Sequence, residues 1–110
     1  MGAKTSDGPG QLLIGGGQVA AAGDTVLITP PSGRALRIYY VSYNPAAASE
    51  VGFKFGATGT VWLRNNLVAN SVIAKDFKDL KYIQGAIDEV LSITQTNAVI
   101  VDWTVFYVLV

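Results

Sequence analysis

Two stretches of the chain hold paired carboxylates, the residue type that could supply acid–base catalysis or a hard-cation site. "KDFKDLK" at 75–81 carries Asp76 and Asp79, and "DE" at 88–89 carries Asp88 and Glu89. Neither pairing suits that chemistry. Lys75, Lys78 and Lys81 interleave with the first pair and neutralise it, so a solvated loop with weak local ion pairs is the better reading. Asp88 falls in a turn and Glu89 at a strand start. Adjacent strand residues point to opposite faces, which is poor geometry for an acid–base pair. "GGG" at 15–17 suggests a phosphate cradle, but the lysine and hydroxyl residue of a phosphate loop and the G-x-G-x-x-G spacing are both missing. A flexible hinge is expected there. The chain has no histidine and no cysteine. That removes the commonest general base, a thiol nucleophile, disulfides and the usual zinc sites. No catalytic residue, metal or cofactor is expected, and the chain reads as non-enzymatic.

The other residues able to do something specific are aromatic. Two tryptophans and five tyrosines could stack on sugar rings or fill a protein interface. Trp103 falls in the apolar register of the last strand and belongs to the core. Trp62 sits between Val61 and Leu63, beside Arg64, on the side expected to face out. Tyr39 and Tyr43 flank Val41 and raise the same question.

These residues must be positioned by β-structure. The 110 residues suit one domain. From residue 24 onward, short apolar or alternating runs are separated by Gly, Pro and Asn turns. "DTVLIT" stops at "PPSG". "RALRIYYVSY" is a β-branched and aromatic strand, with Leu36, Ile38 and Tyr40 on one face and Arg37, Tyr39, Val41 and Tyr43 on the other. "VGFKF" points Val51, Phe53 and Phe55 inward, and "GATGT" turns it into "VWLRNNL". Ile73, Phe77 and Leu80 have helical spacing, but the all-β surroundings favour a strand, a loop and a short edge strand over 70–85. "EVLSITQ" faces Leu91 and Ile93 inward. In the closing "NAVIVDWTVFYVLV", Val101, Trp103, Val105, Tyr107 and Leu109 share the core face. Seven to eight strands at this spacing predict an antiparallel β-sandwich of jelly-roll type over 24–110. Residues 1–23, rich in glycine and alanine, read as a flexible N-terminal arm, with Leu12, Leu13 and Ile14 as an anchor on a neighbour.

Three strands carry bulky residues on the side that should be wet: Tyr39, Val41 and Tyr43; Trp62; and Phe106, Val108 and Val110. A second layer of the same domain covers only one face of each sheet, and apolar patches of that size are rare on a monomer. A homo-oligomer, with a trimer favoured, is the economical cover. Eight basic and eight acidic residues leave no net charge, so neither nucleic acid nor a membrane surface is an expected partner. No run is long and apolar enough for a membrane helix.

"PPSGRALRIYYVSY", "GAIDEVLSI" with Gly85, Glu89, Leu91 and Ile93, and a closing strand with Val101, Val105 and Tyr107 resemble small β-sandwich structural proteins of tailed phages. The type is the head-decoration (capsid cement) or head-fibre protein. The resemblance implies a trimer that clamps the lattice of a major capsid protein, within a virion assembled in the host cytoplasm, and it carries over no catalytic residue. The rival expectation is a carbohydrate-binding or lectin-like module of a phage tail or fibre, built on an exposed Trp62 with Asn65 or Asn66 nearby.

Overall fold

The computed structural model describes residues 11–56, 59, 61–76 and 82–110. Among the described residues nine strands follow one another: β1 (Leu12–Val19), β2 (Gly23–Ile28), β3 (Leu36–Pro45), β4 (Ser49–Phe55), β5 (Val61–Leu67), β6 (Ile73–Asp76), β7 (Ile83–Gln84), β8 (Leu91–Gln95) and β9 (Val101–Leu109). One sheet has the order β1-β9-β3-β6, with β7 also on β3, and the other has the order β2-β8-β4-β5. Every pairing is antiparallel. The order is that of one long antiparallel ribbon rolled on itself. The β4–β5 hairpin is its tip, β3 with β6 and β7 comes next, then β2–β8, then β1–β9. Successive rungs alternate between the two sheets. This is the jelly roll expected from the sequence, with one edge strand split into β6 and β7. β6 and β7 are the strand and the short edge strand expected within 70–85, and the loop expected between them lies outside the described residues. Asp79, Lys78 and Lys81 lie outside the described residues, as do Phe77 and Leu80.

The core lies between the sheets and follows the period of two where the ladders are regular. Val51, Phe53 and Phe55 of β4, Leu91 and Ile93 of β8, and Val101, Trp103, Val105 and Leu109 of β9 are all buried. Alternation breaks at three register shifts: in β2 between Val26 and Ile28, in β3 between Ile38 and Tyr40, and in β5 opposite Phe53 and Lys54. Each shift inserts one extra residue, and a bulge of this kind moves everything beyond it to the other face. In β3 the extra residue is Tyr39. Leu36 and Ile38 face in before it, and Val41 and Tyr43 face in after it, at 0% and 1% exposure. The expected outward position of Val41 and Tyr43 is therefore corrected. Tyr40, expected inside, is outside. In β5 the extra residue is Trp62, whose ring lies 5.9 Å from Phe53 and 5.7 Å from Phe55. Trp62 packs on the core rather than facing out.

The arm expected over 1–23 is also revised. Residues 12–19 pair with β9 in unbroken register, from Leu12↔Val108 to Val19↔Val101. A boundary drawn after residue 23 thus falls inside β2, within one sandwich. Leu13 faces inward and packs against the core, and Val19 is part of it. The glycines at 15–17 are strand residues, not a hinge. Gly15 and Gly17 lie under the Trp103 indole, and a Cβ at Gly15 would stand 3.2 Å from Ile28 and 3.5 Å from the indole. Their lack of side chains lets the largest core residue of β9 lie across β1. Residues 1–10 are outside the described residues.

Two outcomes are expected. Removing residues 1–19 takes away the strand that covers one side of β9, so the truncated protein should be insoluble or melt well below the parent in a thermal circular-dichroism scan. Gly85→Ala would place a Cβ 2.7 Å from the buried Phe55 ring. Overpacking of this kind costs about 1–3 kcal/mol, which denaturant unfolding would measure.

Candidate functional site on the outer face of the five-stranded sheet

The two sheets present different outer faces. On the four-stranded sheet, Asp24, Thr94, Gly52 and Arg64 lie side by side across β2, β8, β4 and β5. Lys54 Nζ lies 2.6 Å from Asp24, and Arg64 lies 3.6 Å from Glu50. Hydrogen bonds from Lys54 and Thr94 hold the Asp24 carboxyl below its usual range. A depressed carboxylate contributes stability above its ordinary pKa and loses it as pH falls. Asp24 is exposed, so that contribution is small. This face is built for water.

The outer face of the five-stranded sheet is divided. At one end it is polar: Gln18 donates to Asp102 at 2.7 Å, Asn44 donates to the Ser71 carbonyl at 3.0 Å, and Thr104 lies opposite Ser42. At the other end the cross-strand rows turn apolar. One row runs Ile14, Phe106, Tyr40, Asp76, and the next runs Leu12, Val108, Arg37, Gln84. The Tyr40 and Phe106 rings are 4.8 Å apart. Tyr39 meets the Tyr82 ring edge-on at 5.8 Å. Arg37 lies 4.2 Å over that ring and donates to Gln84 at 2.9 Å, which ties β3 to β7. Leu12, Tyr39, Tyr40, Asp76, Phe106 and Val108 line an open groove of about 530 Å³. Leu12 and Ile14 remain 54% and 69% exposed.

Of the residues expected at an interface, Leu12, Ile14, Tyr39, Phe106 and Val108 are brought together here. Val108 is already mostly covered within the chain. Val110 follows β9, half-buried and held by two backbone hydrogen bonds to Ala35 at 2.9 and 3.0 Å. Leu13, Val41, Tyr43 and Trp62 belong to the interior. Sequence reasoning missed Tyr40 and Tyr82. Strict alternation hides Tyr40, and Tyr82 follows a stretch without a clear period.

The patch can exclude water and stack rings. Asp88, at φ +67°, accepts from the Gly33 amide at 2.6 Å, and Glu89 accepts from the Ala86 amide at 2.8 Å. Both carboxylates clamp loops at the end of the sandwich. Among the described residues, no group of three or more His, Cys, Asp or Glu side chains could hold a metal ion.

Inside, Tyr43 donates to Asn65 Oδ1 at 2.6 Å and joins the two sheets. Burial pushes its phenol from the ordinary 10 up to about 12. A raised phenol pKa stabilises the folded state fully below pH 10, and that contribution is lost as pH rises towards about 12. The shift corresponds to roughly 3 kcal/mol. Denaturant unfolding should therefore show the parent losing stability over this window more steeply than Tyr43→Phe. Tyr43→Phe itself should cost about 1 kcal/mol at neutral pH through the lost hydrogen bond.

Fold and surface together define a jelly-roll domain with one polar sheet and one half-apolar sheet face. No protein-family model matches the chain, and no curated protein matches its sequence. Among solved structures, a cryo-EM virus-like particle of the extra small virus of the giant freshwater prawn Macrobrachium rosenbergii is similar to it. The TM-score is 0.41 at 12% identity, over 97% of this chain and 85% of that one. The jelly-roll assignment rests on strand order and register rather than on this likeness.

Proposed function

We propose that the chain is a non-enzymatic structural protein of a viral particle. Its particular role is that of a phage capsid decoration protein whose subunits associate through the apolar half of the five-stranded sheet's outer face. The observation that carries this reading is the contrast between the two outer faces of one small domain. Ion pairs and threonines cover one, while Ile14, Phe106 and Tyr40 stand in a row on the other, with Leu12 in the row beside them. Aromatic and aliphatic residues with a polar rim are the composition of an interface core. The resemblance of "PPSGRALRIYYVSY" and "GAIDEVLSI" to head-decoration proteins supplies the viral class, the trimer, and the major capsid protein lattice as partner. Binding an assembled shell but not its free subunits would stabilise the shell by mass action, and three contacts on one trimer would act together. The sugar-binding alternative loses its main support, because Trp62 packs on Phe53 and Phe55.

Two substitutions on β9 test the reading. Phe106→Asp places an unpaired carboxylate in the proposed contact, whose burial is costly. It should give a folded monomer where the parent runs at three times the 11.6 kDa chain mass. Val101→Asp strikes the fully buried core and should be insoluble. Light scattering after size exclusion, with circular dichroism, separates the two. A monomeric parent, or a Phe106→Asp variant as oligomeric as the parent, overturns the reading.

A further inference from the structure

Sheet edges are open templates for another strand, and proteins protect them with charges, bulges or shortness. Three edges of this sandwich are protected. β2 carries Asp24 and a register shift, β5 carries Arg64 and a register shift, and β6 and β7 are four and two residues long. β1 is not protected. It is eight residues long, has no register shift and pairs only with β9 among the described residues. From Gln11 to Gly23 the chain has neither a charge nor a proline.

We infer that β1 is a second contact between copies of this chain, in which two β1 edges pair antiparallel about a two-fold axis at Gly15 and join two five-stranded sheets into one. The occupant is set by the strand's own sequence. Its first half is bulky, Leu12-Leu13-Ile14, and its second half is Gly16-Gly17-Gln18. Antiparallel self-pairing about Gly15 places Ile14 opposite Gly16, Leu13 opposite Gly17 and Leu12 opposite Gln18. Each branched side chain thus meets a glycine or a flexible amide, and no like charges face each other. The pairing is isologous, as a two-fold requires. It uses the backbone edge of the sheet, so it is distinct from the face contact proposed above and could link one oligomer to the next.

The absence of native cysteine gives a clean test in the full-length protein. Leu12 and Gln18 are exposed, so Leu12→Cys and Gln18→Cys should leave the fold intact. In the proposed pairing the two positions are directly opposite across the two-fold, within disulfide reach. Within one strand they are six residues, roughly 20 Å, apart, and each lies about as far from its own copy in the partner. Under mild oxidation the double variant Leu12→Cys/Gln18→Cys should become a covalent dimer on a non-reducing gel. Each single variant should stay monomeric there, and an equal mixture of the two singles should cross-link to about half the extent. A double variant that stays monomeric, or singles that cross-link as readily as the double, overturns the inference. Adding Phe106→Asp separates the two contacts. Cross-linking retained while the native mass falls leaves the edge contact standing without the face contact. Cross-linking lost while the native mass is retained overturns the edge contact.

Discussion

One residue inserted in β3 decides what is inside this protein and what is outside. Leu36 and Ile38 face the opposite sheet, Tyr39 is left over in the ladder with β9, and from Tyr40 on the faces are exchanged. Without the insertion, Tyr40 would enter the core while Val41 and Tyr43 would face water. With it, the phenol of Tyr43 reaches across to Asn65 in the other sheet, and Tyr40 lies against Phe106 on the outer face. The core and the apolar groove are two consequences of the same bulge. The insertion also brings two aromatic residues, Tyr39 and Tyr40, to one side of the sheet, where regular pleating would send one to each face.

The opposite face is kept polar by a similar device. In β5 the extra residue is Trp62, which turns its ring onto Phe53 and Phe55, while Val61 sits opposite Lys54 on the outside. Gly52 allows this. A Cβ there would come within 2.8 Å of Val61 and 3.1 Å of the Leu63 carbonyl. The largest side chain of the edge strand is thereby absorbed into the core, and the outer face of that sheet keeps its ion pairs. The contrast between the two sheets therefore arises from where each bulge falls as much as from composition.

Wherever the ladders are regular, the sequence was legible. The faces of β4, β8 and β9 follow their period of two, and the turn at "PPSG" separates β2 from β3 as expected. The missed positions cluster at bulges, because an inserted residue leaves no mark in a hydrophobic pattern. It shifts the phase of everything after it, which is why Val41, Tyr43, Tyr40 and Trp62 were assigned to the wrong side. β1 was hidden for a different reason. Glycine has low strand propensity, and a run of three reads as a hinge until Trp103 is known to need the room. The groove was half legible: Tyr39, Phe106 and Val108 follow from the alternation, but Leu12 and Ile14 were read as part of an arm and Tyr40 as core, and their meeting depends on register.

β1 joins these observations. Its inward side yields space to Trp103, its outward side contributes Leu12 and Ile14 to the apolar rows, and its other edge, unpaired among the described residues, carries none of the protection seen elsewhere. A strand with glycines at its centre packs few side chains of its own and gives up more backbone entropy on ordering than an ordinary strand. Such a strand is held mainly by its ladder to β9, so anything that pairs with its other edge or covers Leu12 and Ile14 also stabilises the subunit it belongs to. Folding of the sheet and the association of subunits proposed above would thus be coupled through the same eight residues. A protein of the kind proposed, which must hold its shape only once assembled, would place its interface on a strand of this kind.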